Sequence, residues 1–136
     1  MSRDFPERPR VRIEVPRFGV IKPRADGRID FLSPVPCPYN YGCIPDLIAP
    51  DGDPMDAVVM GRRLSRGTSV SVPVRAVMGF VDAGREDPKV ICSHAPLSRA
   101  DRLGIEGFFH VYALCKGVLN RLRRRAGETR CTGWIA

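Results

Sequence analysis

At residues 51–60 the chain reads Asp51-Gly52-Asp53-Pro54-Met55-Asp56, followed directly by Ala57-Val58-Val59-Met60. The apolar second half predicts a short buried strand, whereas Gly52 and Pro54 exclude a helix from the first half. Residues two apart in extended chain point to the same side, about 6–7 Å from each other. Asp51 and Asp53 therefore lie side by side, and a turn after Pro54 would bring Asp56 towards them.

Two interpretations of this acidic stretch stand side by side. Two carboxylates about 6 Å apart repel by on the order of 3 kcal/mol at an effective dielectric near 20, so three together need open solvent or a cation. Oxygen ligands alone suit a hard ion such as Mg²⁺, Mn²⁺ or Ca²⁺. A solvated turn is the alternative, because Asp, Gly and Pro are all common in turns. An EF-hand loop does not fit, since Arg62 stands at its twelfth position, where Glu belongs.

Length and composition indicate one folded domain over residues 1–136. Hydrophobic residues make up 43% of the chain, which argues against disorder. Residues 1–10, rich in Pro and Arg, are expected to form a flexible arm. The net charge of +7 favours an anionic partner.

The same composition bears on location. No apolar run approaches the roughly 20 residues of a membrane span, and the first residues form no apolar signal region. We therefore expect a cytoplasmic protein with no membrane partner. The five cysteines are odd in number and lack a CxxC pair, which predicts reduced thiols rather than disulfides.

Segments on both sides of the acidic stretch have the alternating pattern of strands. Apolar and charged residues alternate from Val11 to Val15 and again from Ser69 to Val77. Residues 25–28 read as a hairpin turn that leads to a strand at 29–32. Prolines at every second position exclude a central strand or helix from residues 33–42, which we expect to be irregular.

A second acidic cluster and a helix complete the chain. Residues 82–89 read Asp82-Ala83-Gly84-Arg85-Glu86-Asp87-Pro88-Lys89, for which a surface hairpin loop is the simplest interpretation. Residues 99–106 indicate a connector or short helix, and residues 108–124 a helix with an apolar stripe. The predicted stripe consists of Phe108, Val111, Tyr112, Cys115, Val118 and Leu119. The pattern is typical of a small β-barrel covered by a C-terminal helix.

Three motifs in this order make the chain resemble the soluble family I inorganic pyrophosphatases. Residues 51–57 match the family signature D-[SGDN]-D-[PE]-[apolar]-D-[apolar]. Residues 38–42 stand where the family has P-x-N-Y-G, and residues 82–89 match D-x-x-x-x-D-x-K. The resemblance covers residues 11–116. It implies a mainly β (α+β) fold, with a five-stranded closed barrel of the oligonucleotide-binding type and a C-terminal helix packed on it.

The resemblance also implies Mg²⁺-dependent hydrolysis of pyrophosphate to two phosphates, with several Mg²⁺ ions bound and Mn²⁺ as a substitute. It makes Asp53 the acceptor of the proton of the attacking water and Tyr41 a second catalytic residue. The implied substrate-binding residues are Lys22, Lys89, Tyr112 and Arg28. The implied metal ligands are Glu14, Asp51, Asp53, Asp56, Asp82 and Asp87. We further expect a homo-oligomer that does not bind nucleic acid.

The sequence departs from the family pattern at several positions. Ala113 stands where the family has a lysine, and Arg24 stands where it has an acidic residue. The chain is short between Glu14 and Tyr41, and only Arg28 is a candidate for the phosphate-binding arginine. These departures leave open a weakly active or non-catalytic relative that binds a phosphate compound or nucleotide. The positive charge leaves open a barrel that binds single-stranded nucleic acid.

Overall fold

The computed structural model describes residues 6–19, 21–23, 29–32 and 36–135. Ten strands and one helix occur within these residues, with the helix between the last two strands. Their bounds are β1 Arg10–Val15, β2 Ile21–Pro23, β3 Ile29–Leu32, β4 Asn40–Ile48, β5 Pro54–Val59, β6 Ser69–Ser71, β7 Val74–Asp82, β8 Arg85–Glu86, β9 Lys89–Cys92, α1 Arg99–Leu122 and β10 Arg130–Trp134.

Eight of these strands pair into one sheet with the order β10-β7-β9-β5-β4-β1-β6, and β8 pairs with β7 outside this path. Strands β2 and β3 form a separate hairpin. All neighbours are antiparallel except β5 and β9, which run parallel and place Asp56 opposite Lys89. This pairing brings an aspartate of the first acidic stretch next to the lysine that follows the second one.

Two hydrophobic clusters form the core. One lies between β1, β4, β5 and β9. Strand β1 contributes to the core because its apolar residues alternate with charged ones, so that Val11, Ile13 and Val15 are buried. The second joins β7 and β9 to α1 through Phe80, Ile91 and the buried helix residues Ile105 and Phe109. The helix thus covers one side of the sheet, as the sequence predicts for a mainly β protein with a C-terminal helix.

The five strands β7-β9-β5-β4-β1 form the middle of the sheet, with short strands on both sides. The edge strands β10 and β6 are not paired with each other in the part of the chain that the structure describes. Closure of the predicted five-stranded barrel therefore stays a prediction. Within the described residues, no helix combines the length and the apolar character that a membrane crossing requires.

The predicted irregular segment over residues 33–42 is wrong at its end. Strand β4 begins at Asn40 and lies between β1 and β5 in the sheet. The last proline of the segment, Pro38, precedes the strand, so its missing N–H removes no hydrogen bond from the sheet. The chain gains a nine-residue strand that the sequence analysis did not predict.

The helix also differs from its prediction. It begins at Arg99, where Ser98 and Asp101 form a capping box: each side chain accepts a hydrogen bond from the other's backbone N–H, at 3.0 and 2.9 Å. The predicted apolar stripe is partly wrong: Phe108 and Tyr112 pack against the second cluster, but Val111 and Val118 are exposed. The buried face instead carries Ile105, Phe109, Ala113, Lys116 and Asn120.

The ends of the chain bear on the predicted arm and thiols. The backbone carbonyls of Glu7 and Pro9 accept hydrogen bonds from Val74 and Val72. Residues 1–5 lie outside the described residues, so the arm stays a prediction there, as does the single domain over residues 1–136.

All five cysteines are free thiols, as predicted. The predicted turn at residues 25–28 also lies outside the described residues.

Asn40 holds the start of β4 against the segment that follows β5. Its amide nitrogen donates to the carbonyls of Val59 (3.2 Å) and Arg62 (2.8 Å). Its amide oxygen accepts from the backbone N–H groups of Arg17 (3.1 Å) and Leu64 (2.9 Å). The side chain is fully buried, so all of its hydrogen-bonding capacity is used inside the protein.

We expect the substitution Asn40→Ala to lower the free energy of unfolding by about 2–4 kcal/mol, because it leaves backbone groups without partners. Equilibrium unfolding in urea measures the change. Ser71→Ala is the matched control, since the exposed Ser71 hydroxyl makes one hydrogen bond, to the Arg8 carbonyl. Equal stability of the two variants would contradict the role of Asn40.

Candidate active site

A cavity of about 550 Å³ lies between α1, the loop before β5 and the end of β7. Its lining is strongly charged and carries both signs. Among the described residues, the acidic ones are Glu14, Asp51, Asp53, Asp56, Asp82 and Asp87, and the basic ones are Arg12, Arg85, Lys89, Lys116, Arg123 and Arg125. Tyr41 and Tyr112 also line it. A lining of this kind suits a charged ligand rather than an apolar one.

The acidic loop at the rim of the cavity is itself a turn. The Asp51 Oδ1 atom accepts a hydrogen bond from the backbone N–H of Asp53 at 3.0 Å, and Gly52 has a φ of +90° that favours glycine. The prediction of a turn after Pro54 is wrong, because the turn precedes Pro54 and β5 begins there. Pro54 suits the first position of a strand, where its missing N–H costs little.

The acidic stretch can therefore be a turn and part of the cavity lining at the same time. The turn exposes Asp53, and both Asp51 and Asp53 line the cavity. Asp56 follows inside β5, where the strand rather than a turn directs it to the same space.

Lys89 occupies the centre of the acidic lining. Its Nζ atom lies 2.8 Å from Asp56 Oδ2 and 2.6 Å from Asp87 Oδ2, and only 3% of its side chain is exposed. The ammonium also lies over the rings of Phe80 (5.1 Å to the centroid) and Tyr41 (5.6 Å). An ammonium has three N–H donors, so two serve the aspartates and one remains for a ligand.

The surroundings of Lys89 shift the pKa values of its neighbours. Desolvation lowers the pKa of Lys89, but Asp56, Tyr41 and Asp87 outweigh it, so this pKa lies well above the usual value. Burial raises the pKa of Asp87 to about 6, although Lys89 opposes the shift.

Burial also raises the pKa of Tyr41 and that of Tyr112 well above the usual value. Both tyrosines therefore keep their hydroxyl protons at neutral pH and can donate hydrogen bonds to an anion.

Asp82 has a partner on the helix. The Asn120 Nδ2 atom donates to Asp82 Oδ1 at 2.8 Å and to the Thr129 hydroxyl at 2.9 Å. Asn120 is 2% exposed, so these bonds fix the orientation of Asp82 at the end of β7. The tight turn after it, in which Ala83 and Gly84 both have positive φ, sends the chain back through β8 to Asp87. The predicted surface hairpin thus carries two aspartates into the cavity.

Nine of the predicted site residues line the cavity: Glu14, Tyr41, Asp51, Asp53, Asp56, Asp82, Asp87, Lys89 and Tyr112. The other two cannot be placed. Lys22 lies in β2, where the structure describes the backbone alone, and Arg28 lies outside the described residues. Arg24 lies outside them as well.

Several residues in and around the cavity were not predicted from the sequence. Lys116 and Asn120 lie on the buried face of α1, and Arg123 and Arg125 follow the helix. A signal for the first two was present, because they continue the spacing of the buried residues Ile105 and Phe109 with polar side chains. A polar residue on the buried face of a helix requires a partner or a ligand.

The donor set of the cavity fits Mg²⁺ or Mn²⁺, because carboxylate oxygens are the ligands that these hard ions prefer. In the described part of the chain, no group of three or more His, Cys, Asp or Glu side chains is placed so that it could hold a metal ion by itself. Mg²⁺ does not require one, since it is usually bound by one or two carboxylates together with water and substrate phosphates. The six carboxylates of the lining supply ligands of this kind.

Comparisons with known proteins identify the family of the chain. The family model for inorganic pyrophosphatase matches residues 11–118. The inorganic pyrophosphatase of Saccharolobus solfataricus is 32% identical over 108 residues, which are 74% of this chain and 62% of that protein. The enzyme of Haemophilus influenzae is 41% identical over 56 residues, 40% of this chain and 32% of its own. The aligned region thus spans about a third of that curated relative.

The fold agrees as well. The crystal structure of the inorganic pyrophosphatase from Thermus thermophilus superposes with a TM-score of 0.73 at 30% identity, covering 98% of this chain and 84% of that one. The chain therefore belongs to the inorganic pyrophosphatase family, as the three motifs of the sequence predict.

Proposed function

We propose that this protein hydrolyses inorganic pyrophosphate to two phosphates with the help of Mg²⁺. The observation that carries the proposal is the cavity, which six carboxylates and six basic side chains line among the described residues. The acidic part suits divalent cations, and the basic part suits the phosphate groups that those cations accompany. Family membership supports the same reaction.

The proposed metal ligands are Glu14, Asp51, Asp53, Asp56, Asp82 and Asp87. Bound Mg²⁺ ions supply charge neutralisation at the phosphoryl oxygens and make the attacking water more acidic. The orientation of Asp82, a proposed metal ligand, is fixed because Asn120 donates a hydrogen bond to one of its oxygens at 2.8 Å. Asp51 is held in place by the backbone N–H of Asp53.

Asp53 is the proposed acceptor of the proton of the attacking water. Asp56 and Asp87 each bond to the Lys89 ammonium, and Asp82 accepts from Asn120. Within the described residues, the exposed carboxylate of Asp53 takes part in no hydrogen bond or ion pair. Both of its oxygens are therefore able to accept a hydrogen bond from a water molecule.

Tyr41, Tyr112 and Lys89 are proposed to bind and orient the phosphates. The raised pKa values of the tyrosines keep their hydroxyls as donors. Lys89 keeps one N–H for a substrate oxygen while it holds Asp56 and Asp87. Lys22 and Arg28 remain proposed substrate contacts on the resemblance alone.

The test is release of phosphate from pyrophosphate, followed with and without MgCl₂. We expect wild-type protein to release phosphate only when the metal is present, and MnCl₂ to replace MgCl₂ in part. A double variant, Asp51→Asn with Asp53→Asn, purified in the same way, controls for contaminating hydrolases. Equal release by wild type and double variant would show that the proposed activity is wrong.

A non-catalytic relative that binds a phosphate compound or nucleotide is the alternative that the sequence left open. Calorimetry with pyrophosphate and with nucleotides in CaCl₂ distinguishes the two, because tight binding of a nucleotide without any hydrolysis would favour the alternative. The homo-oligomeric state, the cytoplasmic location and the lack of nucleic-acid binding stay predictions. Light scattering coupled to gel filtration checks the first of them.

A further inference from the structure

The helix side of the cavity carries a buried cation that no motif of the sequence predicts. Lys116 lines the cavity and is 6% exposed, and it lies one helical turn after Tyr112 on α1. Residues four apart on a helix lie about 5–6 Å from each other between their Cβ atoms. Lys116 and Tyr112 therefore present their polar ends to the same cavity from adjacent turns.

The residue next to Tyr112 is not a cation in this chain. Ala113 is 5% exposed and belongs to the hydrophobic cluster that includes Phe80, Ile105 and Phe109. After Tyr112, the next residue of α1 that lines the cavity is Lys116.

The surroundings of Lys116 favour an anion. Desolvation lowers the pKa of Lys116, Asp82 raises it, and Arg125, Lys89 and Arg123 lower it. The ammonium therefore has one carboxylate and three cations near it, and a bound anion would add negative charge beside these cations. Lys116 on α1, and Arg123 and Arg125 after it, add cations to a lining whose carboxylates come from other parts of the chain.

We propose that Lys116 binds a phosphate group of the substrate and replaces the cation that is missing at position 113. This inference rests on the proposed function, because it names a further substrate contact of the same site. The structure places the side chain in the cavity, where an oxygen of pyrophosphate can accept a hydrogen bond from its ammonium. Lys116 is thereby a substrate-binding residue that compensates for Ala113.

The experiment measures pyrophosphate binding and hydrolysis in four proteins: wild type, Lys116→Met, Lys116→Arg and Arg121→Met. Binding of inorganic pyrophosphate is measured by calorimetry in CaCl₂, and KM and kcat are measured in MgCl₂. Arg121→Met is the matched control, because it removes one positive charge from the last turn of α1 at an exposed residue outside the cavity lining.

We expect Lys116→Met to raise both the Kd and the KM for pyrophosphate by about 10- to 100-fold, the effect of losing one charge-assisted hydrogen bond. Lys116→Arg should recover most of the affinity, and Arg121→Met should behave like the wild type. If Lys116→Met fails to fold, Lys116→Gln, which keeps a polar end, replaces it in the comparison.

The outcomes separate this inference from the proposed function. If wild type binds and hydrolyses pyrophosphate and folded Lys116→Met has the same Kd and KM, the inference is overturned and the function stands. A lower melting temperature of Lys116→Met with an unchanged Kd would mean a structural role only, and overturns it too. If wild type neither binds nor hydrolyses pyrophosphate, the function and the inference are both overturned.

Discussion

Replacement of Lys89 by methionine is expected to lower the free energy of unfolding of the metal-free protein by about 3–5 kcal/mol, the usual cost of breaking a buried ion pair by removing one partner. The Lys89 ammonium lies 2.8 Å from Asp56 and 2.6 Å from Asp87, and these carboxylates are 18% and 12% exposed. Methionine keeps the volume but leaves two partly buried carboxylates without a positive charge between them. Equilibrium unfolding in urea at neutral pH measures the loss.

A double-mutant cycle tests whether the ion pair is the cause. Asp87→Asn removes one of the two negative charges, so the double variant Lys89→Met with Asp87→Asn should be more stable than the sum of the single losses predicts. Additive losses would contradict a direct interaction and assign the effect to packing against Phe80 and Tyr41. Arg85→Met is the control for net charge, because Arg85 lines the same cavity on an exposed strand.

Lys89 also shows why a substitution at this position changes more than substrate binding. The resemblance identifies it as a phosphate-binding residue, and the structure adds that two of its three donors hold Asp56 and Asp87. A loss of activity in Lys89→Met would therefore combine a lost phosphate contact with displaced carboxylates. Stability has to be measured beside kcat and KM for this variant.

The acidic residues that line the cavity come in short motifs, which is why the sequence groups them together. Asp51, Asp53 and Asp56 lie within six residues, and Asp82 and Asp87 frame one hairpin. Spacing along the chain is enough to bring such residues together once the turns are known. The pairing of Asp56 with Lys89 is different, since it depends on the parallel alignment of β5 and β9, which no local pattern encodes.

The helix side of the site could not be predicted in the same way. The phase of α1 is set by its packing against β7 and β10, and β10 was not predicted at all. Val111 and Val118 fit an apolar stripe by composition, yet the helix turns Ala113, Lys116 and Asn120 inwards. Burial of Lys116 and Asn120 is favourable only because Asp82 and the cavity provide polar surroundings, and both are supplied by distant parts of the chain.

The proline-rich segment illustrates a different limit. Pro36 and Pro38 lie before the strand, as predicted, and Pro34 lies outside the described residues, but the exclusion does not extend to the residues that follow Pro38. Strand β4 begins two residues after Pro38, at Asn40, whose side chain makes four hydrogen bonds. Gly42 shows the closeness of this packing, because a Cβ atom there would lie 1.9 Å from the Arg12 carbonyl oxygen.

Substitution of Asp53 by asparagine is expected to lower kcat for pyrophosphate hydrolysis by about 10²- to 10⁴-fold, the contribution of a positioned general base. Asparagine keeps the size and an oxygen ligand but cannot accept the proton of the attacking water. The side chain is exposed, so stability should change by less than about 0.5 kcal/mol. Phosphate release at saturating pyrophosphate and MgCl₂ gives kcat, and urea unfolding gives the stability.

Asp51→Asn is the matched control for Asp53→Asn, because both residues lie in one turn and both line the cavity. Asparagine at position 51 still offers an oxygen to the backbone N–H of Asp53, so the turn is preserved. A residue that only contributes to metal binding can be compensated by raising the MgCl₂ concentration, whereas a proton acceptor cannot. We therefore expect excess MgCl₂ to restore much of the activity of Asp51→Asn and little of that of Asp53→Asn. Equal recovery of the two variants would contradict the assignment of Asp53 as the base and would leave both residues as metal ligands only.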